Sequence, residues 1–217
     1  MKIKWNGHAS FTITASDGTV IVTDPYDPSG YGGVLLYDQV RDNADAVLIS
    51  HDHADHNYVK GLPGSPKVIR GSGNIGDIKV TGVKTYHDES RGSERGDNTL
   101  FVIELDNLRV CFAGDLGHPL SKEQIEAIGP VDLLLLPVGG TYTVDADGAA
   151  GVAKALNPAV VIPMHFKTEK CNLPISDVNG FLERMENVKK QEVSTIEISK
   201  DELPVGKQEV WLLEYAS

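Results

Sequence analysis

The sequence predicts an α/β fold of layered sheets, and three observations carry that prediction. Short β-branched runs dominate the first half, capped helical segments cluster in the second, and two almost wholly apolar runs lie among those segments. Apolar runs of that kind are strands covered on both faces, as in an α/β layer. The first-half strands are expected at Lys2 to Trp5, Ser10 to Ala15, Thr19 to Asp24, Ala46 to Ser50, Ile78 to Thr85, Thr99 to Leu105 and Leu108 to Ala113. Most are bounded by glycine, asparagine or aspartate, and "SDG" and "DN" mark hairpin turns. Ser121 to Gln124 forms a capping box that opens a helix to about Ile128, Asp145 caps a helix through Leu156, and Ser176 caps another through Asn187. The two apolar strands are "VDLLLLPV" and "AVVIPM".

Composition narrows what such a fold can do. With 217 residues and 41% hydrophobic content, the chain can bury one full core, and residues 1–217 are expected to form a single domain. Twenty basic residues against 31 acidic ones leave a formal charge of -11, which repels nucleic acid and anionic membrane surfaces. The expected partner is therefore a small molecule, with no nucleic acid and no membrane; homo-oligomers are left open. Two cysteines, Cys111 and Cys171, are too few for a disulfide framework and read as reduced thiols. The start "MKIKWNGHAS" lacks an apolar signal region and no run approaches a membrane span, so a cytoplasmic location is expected.

The polar clusters fall where these strands end. His51 follows "AVLIS", Asp115 follows "VCFAG", His165 follows "VVIPM", and a Gly139-Gly140 loop follows "LLLLPV". Ligand sites in open α/β sheets gather at the carboxyl ends of strands. The densest cluster is "HDHADH", residues 51 to 56. His51 and His53 are two apart and can project to one side of a loop, while Asp55 and His56 come from the next turn, so two pairs can face two adjacent points. Imidazoles with a few carboxylates suit zinc, with manganese, iron or nickel as alternatives, and the absence of clustered cysteines argues against a closed structural site. Two metals about 3.5–4 Å apart need a bridging group, and Asp115 is the natural candidate.

These residues also carry a resemblance. "HDHADH" matches the HxHxDH signature of the metallo-β-lactamase superfamily, and His87 in "KTYHDES", Asp115 in "AGDLGH" and His165 in "IPMHF" match its later motifs in the same order. The chain resembles that superfamily over nearly its whole length. Its "WNGHASFTI", "GDLGH" and "PVGGTYTVD" segments look most like the compact metal-dependent hydrolase branch related to L-ascorbate-6-phosphate lactonase. The resemblance implies a four-layer αβ/βα sandwich, two mixed sheets flanked by helices, with the site at one edge. It also implies that His51, His53 and His87 hold a first divalent ion, that Asp55, His56 and His165 hold a second, and that Asp115 bridges them.

The expected activity is hydrolysis of a small ester, lactone or phosphodiester by water activated between two metal ions. Asp55 and Asp115 are the expected catalytic carboxylates, and His8 and His118 are the candidates to donate a proton to the leaving group. Asp52 sits at the motif's variable position and is left out of the ligand set. Arg91, Arg95 and Lys167 flank ligand positions and would suit an anionic substrate, although a solvated surface charge is the weightier account of each. Thr141, Tyr142 and Thr143 follow the Gly-Gly loop, Asp145 reads as a helix cap and Cys171 as a loop thiol. The alternatives are an iron-dependent oxidoreductase of sulfur dioxygenase type and a non-catalytic metal-binding sensor on the same fold. An RNA nuclease is disfavoured by charge and by the lack of room for an RNA-binding insertion.

Overall fold

The computed structural model describes residues 1–216, and its backbone forms two mixed sheets. The first sheet contains β1 (Lys2–Gly7), β2 (Ser10–Thr14), β3 (Val20–Thr23), β4 (Ala46–Leu48) and β5 (Lys67–Ile69). A late strand, β13 (Thr195–Glu197), adds to its edge, giving the order β13-β1-β2-β3-β4-β5. The second sheet contains β6 (Gly73–Ile75), β7 (Ile78–Tyr86), β8 (Asp97–Leu105), β9 (Leu108–Phe112), β10 (Leu133–Pro137), β11 (Val160–Met164), β12 (Val188–Lys190) and β14 (Glu209–Leu212). Its order is β12-β14-β11-β10-β9-β8-β7-β6. Each sheet is part antiparallel and part parallel. Strands β3, β4 and β5 run parallel, as do β9, β10, β11, β14 and β12.

Alternation along the strands separates two apolar layers, because successive strand side chains point to opposite faces. On β3 and β4, Ile21, Ala46 and Leu48 turn inward and join Trp5, Phe11, Val102, Phe112 and Leu135 in one core between the sheets. Val22 and Val47 turn outward and pack with Tyr26, Leu35, Tyr37, Val40 and Cys171. The cover on that outer face is a loop from residue 26 to 44, pinned by backbone bonds from Leu36 to Lys170 and from Asn172 to Val34. Over the second sheet the cover is helical: α1 (Lys122–Ile128) lies on β7, α2 (Ala146–Leu156) on β10, and α3 (Asn179–Leu182) on α2. No helix among the described residues is long and apolar enough to cross a membrane.

Local chemistry sets the helix bounds. Ser121 and Gln124 form the expected reciprocal capping box, and Asp145 accepts from the Gly148 N–H. The third helix is a correction to the expected span from Ser176 to Asn187. It is four residues long, with Gly180 weakening its interior, and a turn at Glu183 and Arg184 follows it in place of further helix. Strands β5, β6, β12 and β13 have three residues each and were not anticipated, nor was β14.

Candidate metal centre

All the clustered histidines and aspartates lie at one edge of the sandwich. Asp24 follows β3, His51 follows β4 by three residues, and Asp115 and His165 follow β9 and β11. His8 and His87 follow β1 and β7, which alternate antiparallel pairing aligns with β3 and β9. Two glycines let these loops close on each other. A Cβ at Gly117 would sit 2.3 Å from the His87 carbonyl carbon, and one at Gly139 would sit 2.3 Å from the His165 carbonyl oxygen. His8 and His165 both adopt φ 50°, an uncommon conformation for a non-glycine residue, and the His8 carbonyl accepts from the His165 N–H at 3.0 Å.

Asp115 occupies the middle of the cluster. Its Oδ2 lies 3.2 Å from Nε2 of His56, of His87 and of His165, and 4.0 Å from Nε2 of His51. The remaining ligand atoms sort into two groups at the cavity, His51 with His53 and His87, and His8 with Asp55, His56 and His165, with a third set of Asp24, His51 and His56 behind them; within each, one atom from every residue lies within 4.8 Å of the others. His51 Nε2 faces His53 Nδ1 at 2.9 Å, while Asp55 Oδ2 lies 3.1 Å from His8 Nε2 and 3.5 Å from His56 Nε2. His56 Nε2 and Asp115 Oδ1 are buried with no hydrogen-bond partner among the described residues. Unpartnered basic nitrogen and carboxylate oxygen aimed at one another's neighbours are the donor set a divalent cation takes, so the residues fit a metal.

Behind the cluster, Asp24 organises the histidine loop. Its Oδ2 meets His56 Nδ1 at 2.9 Å and accepts from the Ser50 hydroxyl, and its Oδ1 accepts from the Ser50 N–H at 2.8 Å. Ser50 Oγ in turn lies 2.8 Å from His51 Nδ1. A carboxylate on the far nitrogen fixes the tautomer and direction of a ligating imidazole. Asn98 does the same for the backbone, accepting from the Asp115 N–H at 3.0 Å while its amide donates to Thr85 and the Ala113 carbonyl.

The electrostatics follow from packing so many bases around buried acids. Burial and the neighbouring His165 pull His8 down to about 4, and burial with His56 pulls His51 down to about 2. Burial and His87 also lower His53. Burial would depress His56 and His87 too, but Asp115 reverses the direction and holds both above the usual histidine range, His56 well above it. Burial would raise Asp115 and Asp55; instead His165 and His56 keep Asp115 ionised, and His56 keeps Asp55 ionised. Burial does raise Asp24. The result is a pair of ionised carboxylates in a largely dehydrated pocket, which attracts positive charge.

The remaining sequence candidates separate clearly. His118 is not brought into the cluster: its Nε2 accepts from the Tyr86 N–H at 3.1 Å, its Nδ1 faces the Pro119 carbonyl, and it lines a separate depression with Arg91. A ring whose two nitrogens both serve loop backbone is not free to pass a proton to substrate. Asp52 is exposed and pairs with Arg70 at 2.6 Å. Asp145 caps α2, Lys167 donates to the Leu173 carbonyl, and Cys171 is buried beneath the outer loop. Thr141 bonds the Pro174 carbonyl, and Thr143 is buried, whereas Tyr142 and Arg95 line the cavity above the cluster. Asp24, Asn98 and Asp88 were missed. Asp24 carried the same signal as His51, a polar residue at the exit of an apolar strand, but it read as the strand's last residue.

Two sandwiched mixed sheets with a cavity of imidazoles and carboxylates at their common edge define a class, the αβ-sandwich metalloenzymes. Comparison with known proteins gives the family: residues 2–165 match the model for the β-lactamase superfamily domain, and the chain belongs to that superfamily. A protein of Koribacter versatilis named a UPF0173 metal-dependent hydrolase is 31% identical over 201 residues, covering 77% of this chain and 85% of its own. A Thermococcus onnurineus protein of the same name is 30% identical over 195 residues, with the same coverage. A crystal structure from Thermotoga maritima, assigned as a zinc-dependent hydrolase of the metallo-β-lactamase superfamily, is 36% identical. It superposes with a TM-score of 0.81 over 99% of this chain and 98% of that one. The protein is accordingly a metal-dependent hydrolase.

Proposed function

We propose that the cavity holds two divalent cations and hydrolyses an ester, lactone or phosphodiester of a small molecule. His51, His53 and His87 would hold one ion; Asp55, His56 and His165 would hold the other, with Asp115 between them. The observation that carries this reading is the position of Asp115 Oδ2, equidistant at 3.2 Å from imidazoles of both groups while Oδ1 is buried and unpartnered. Nitrogen-rich donors with few carboxylates favour zinc. Two bound divalent ions would supply Lewis-acid polarisation and acidify water from about 15.7 towards about 7.

The protein's own groups do the rest. Asp24 and Ser50 fix the directions of His56 and His51, and His8 holds the Asp55 carboxylate, so the donors are set before any ligand arrives. His8 has its Nε2 on Asp55, which makes it a positioning group or a further donor to the second ion rather than the acid for a leaving group. Two buried free thiols fit a reducing, cytoplasmic setting, and the shared core fits one domain over residues 1–217. Elemental analysis of purified protein, followed by a panel of lactones, esters, thioesters and phosphodiesters, tests the reading. Two ions per chain and chelator-sensitive turnover are expected. One ion at saturation overturns the dinuclear centre, and oxygen uptake by iron-loaded protein in place of hydrolysis overturns the reaction class.

A further inference from the structure

The histidines and carboxylates account for the floor of the cavity but not for its rim. Facing the floor are Tyr31, Arg95, Tyr142 and Leu173, with Glu94 beside Arg95, around a volume of about 320 Å³. At roughly 30 Å³ per water this is room for about ten waters, so it suits a compact substrate. Among the described residues lining the cavity, Arg95 is the one with a permanent positive charge. A cation here runs against a chain of net charge -11.

Three features present that guanidinium to the cavity. Its Cζ lies over the Tyr142 ring, 5.9 Å from the centroid, where stacking steadies the plane of the fork. The backbone beneath is fixed by Asp88, 3% exposed, which accepts from the N–H groups of Ser90, Gly92, Glu94 and Arg95 at 2.8 to 3.1 Å. Glu94 pairs with it only loosely, an ion pair with no hydrogen bond: its Oε1 takes the Ser90 hydroxyl at 2.7 Å and its Oε2 stands 3.7 Å from Arg95 Nη1, so the guanidinium keeps donors free for a ligand. Arg70, on the other flank of the histidine loop, is by contrast closed off by Asp52 at 2.6 Å.

The geometry points to Arg95 as an anion clamp, and to a substrate that is a small ester or lactone carrying a carboxylate or phosphate group. The apolar part of that substrate packs against Tyr31, Tyr142 and Leu173, and the scissile carbonyl faces Asp115. This substrate class rests on the hydrolytic reading above. In the reaction, water adds its oxygen to the acyl carbon, the ester C–O bond breaks, and the alcohol leaves with a proton. The anionic group stays on Arg95 throughout.

The test compares wild type, R95Q and R95K, each zinc-loaded. Calorimetric titration with phenylacetate, phenyl phosphate and neutral phenylacetamide reads binding without turnover. Loss of a charge-assisted bidentate contact in R95Q should weaken the two anions roughly ten- to a hundred-fold, with phenylacetamide shifted far less and R95K intermediate. The anion that loses more identifies the preferred group. Hydrolysis of 4-nitrophenyl acetate against the carboxylate-bearing mono-4-nitrophenyl glutarate should show the anionic-to-neutral kcat/KM ratio falling at least tenfold in R95Q, mostly through KM. Unchanged anion binding in R95Q overturns the clamp even if both esters are cleaved. Weakened binding with neither ester cleaved keeps the clamp and overturns ester hydrolysis.

Discussion

The two ligand groups share Asp115 yet differ in depth and charge. His51, His53 and His87 form an uncharged trio when deprotonated, and His53 is only half-buried beside the open cavity. His8, Asp55, His56 and His165 are all buried and include an ionised carboxylate. The deeper group therefore offers one more donor and a formal negative charge, in surroundings that screen it less. On the two-ion reading, a symmetric-looking motif would thus build unequal sites, a tight one inside and an exchangeable one at the mouth.

Both groups depend on Asp115, whose Oδ2 lies 3.2 Å from His87 of one and from His56 and His165 of the other. D115A should empty both positions and cut turnover by about 10³-fold or more, since several kcal/mol of charge stabilisation go with the metals; metal content and initial rates measured together check it. Graded chelation sharpens the contrast. The ion at His51, His53 and His87 should leave first, and H53A should retain one ion per chain while H165A loses the tighter one. Equal release from both positions would refute the inequality.

D24N should weaken the deep site about 10- to 100-fold by removing the carboxylate that orients His56, read by competition with a fluorescent chelator. pH gives a further handle. His56 and His87 have raised pKa values, so protons compete with metal below those values, and affinity should climb as pH rises through neutrality with measurable proton release. His51, lowered to about 2, adds no proton of its own near neutral pH. The smallest expected effect is a control outside both groups. Burial would raise Glu209, but Lys189, Lys207 and the Trp211 indole hold it at about 2. Its contribution is therefore present above the ordinary carboxylate range and fades as pH falls towards 2. E209Q should cost about 1–2 kcal/mol in urea unfolding, discounted for the half-exposed lysines, and leave metal stoichiometry intact.

Much of this was legible in the sequence because the site is built at strand exits. His51, Asp115 and His165 each follow an apolar run, and the strands that carry them run parallel, so reading the strands located the edge. What stayed hidden depends on contacts made across sheets. Asp24 gains its role only when β3 and β4 lie side by side, and Asn98 only when β8 lies against the turn after β9. His118 looked close to Asp115 by spacing, but the turn after Gly117 aims it at Tyr86. The three-residue edge strands carry too little periodicity to declare themselves, and β12 is exposed at all three positions. Among the described residues, the loop layer over the first sheet has only a single 3-10 turn, Gly30–Gly32, and one bridge from Leu35 to Cys171, and is held by Tyr26, Leu35 and Tyr37 as buried anchors.

The His8 carbonyl of the first sheet accepts from the His165 N–H of the second, and each ligand group likewise draws residues from both sheets. Ions seated there would rivet the sandwich along one edge. The far end is clasped by lighter means, the Ser16 contacts to Asp106 at 2.6 and 2.8 Å, the N-terminal ammonium at 3.3 Å from the same carboxylate, and the Lys200 pair with Asp132 at 2.6 Å. The molecule should therefore open like a hinged book, with hydrogen exchange starting at the Ser16 and Asp106 turns. The catalytic edge would then be the spine, the last part to come apart and the part that sets how much heat the enzyme survives.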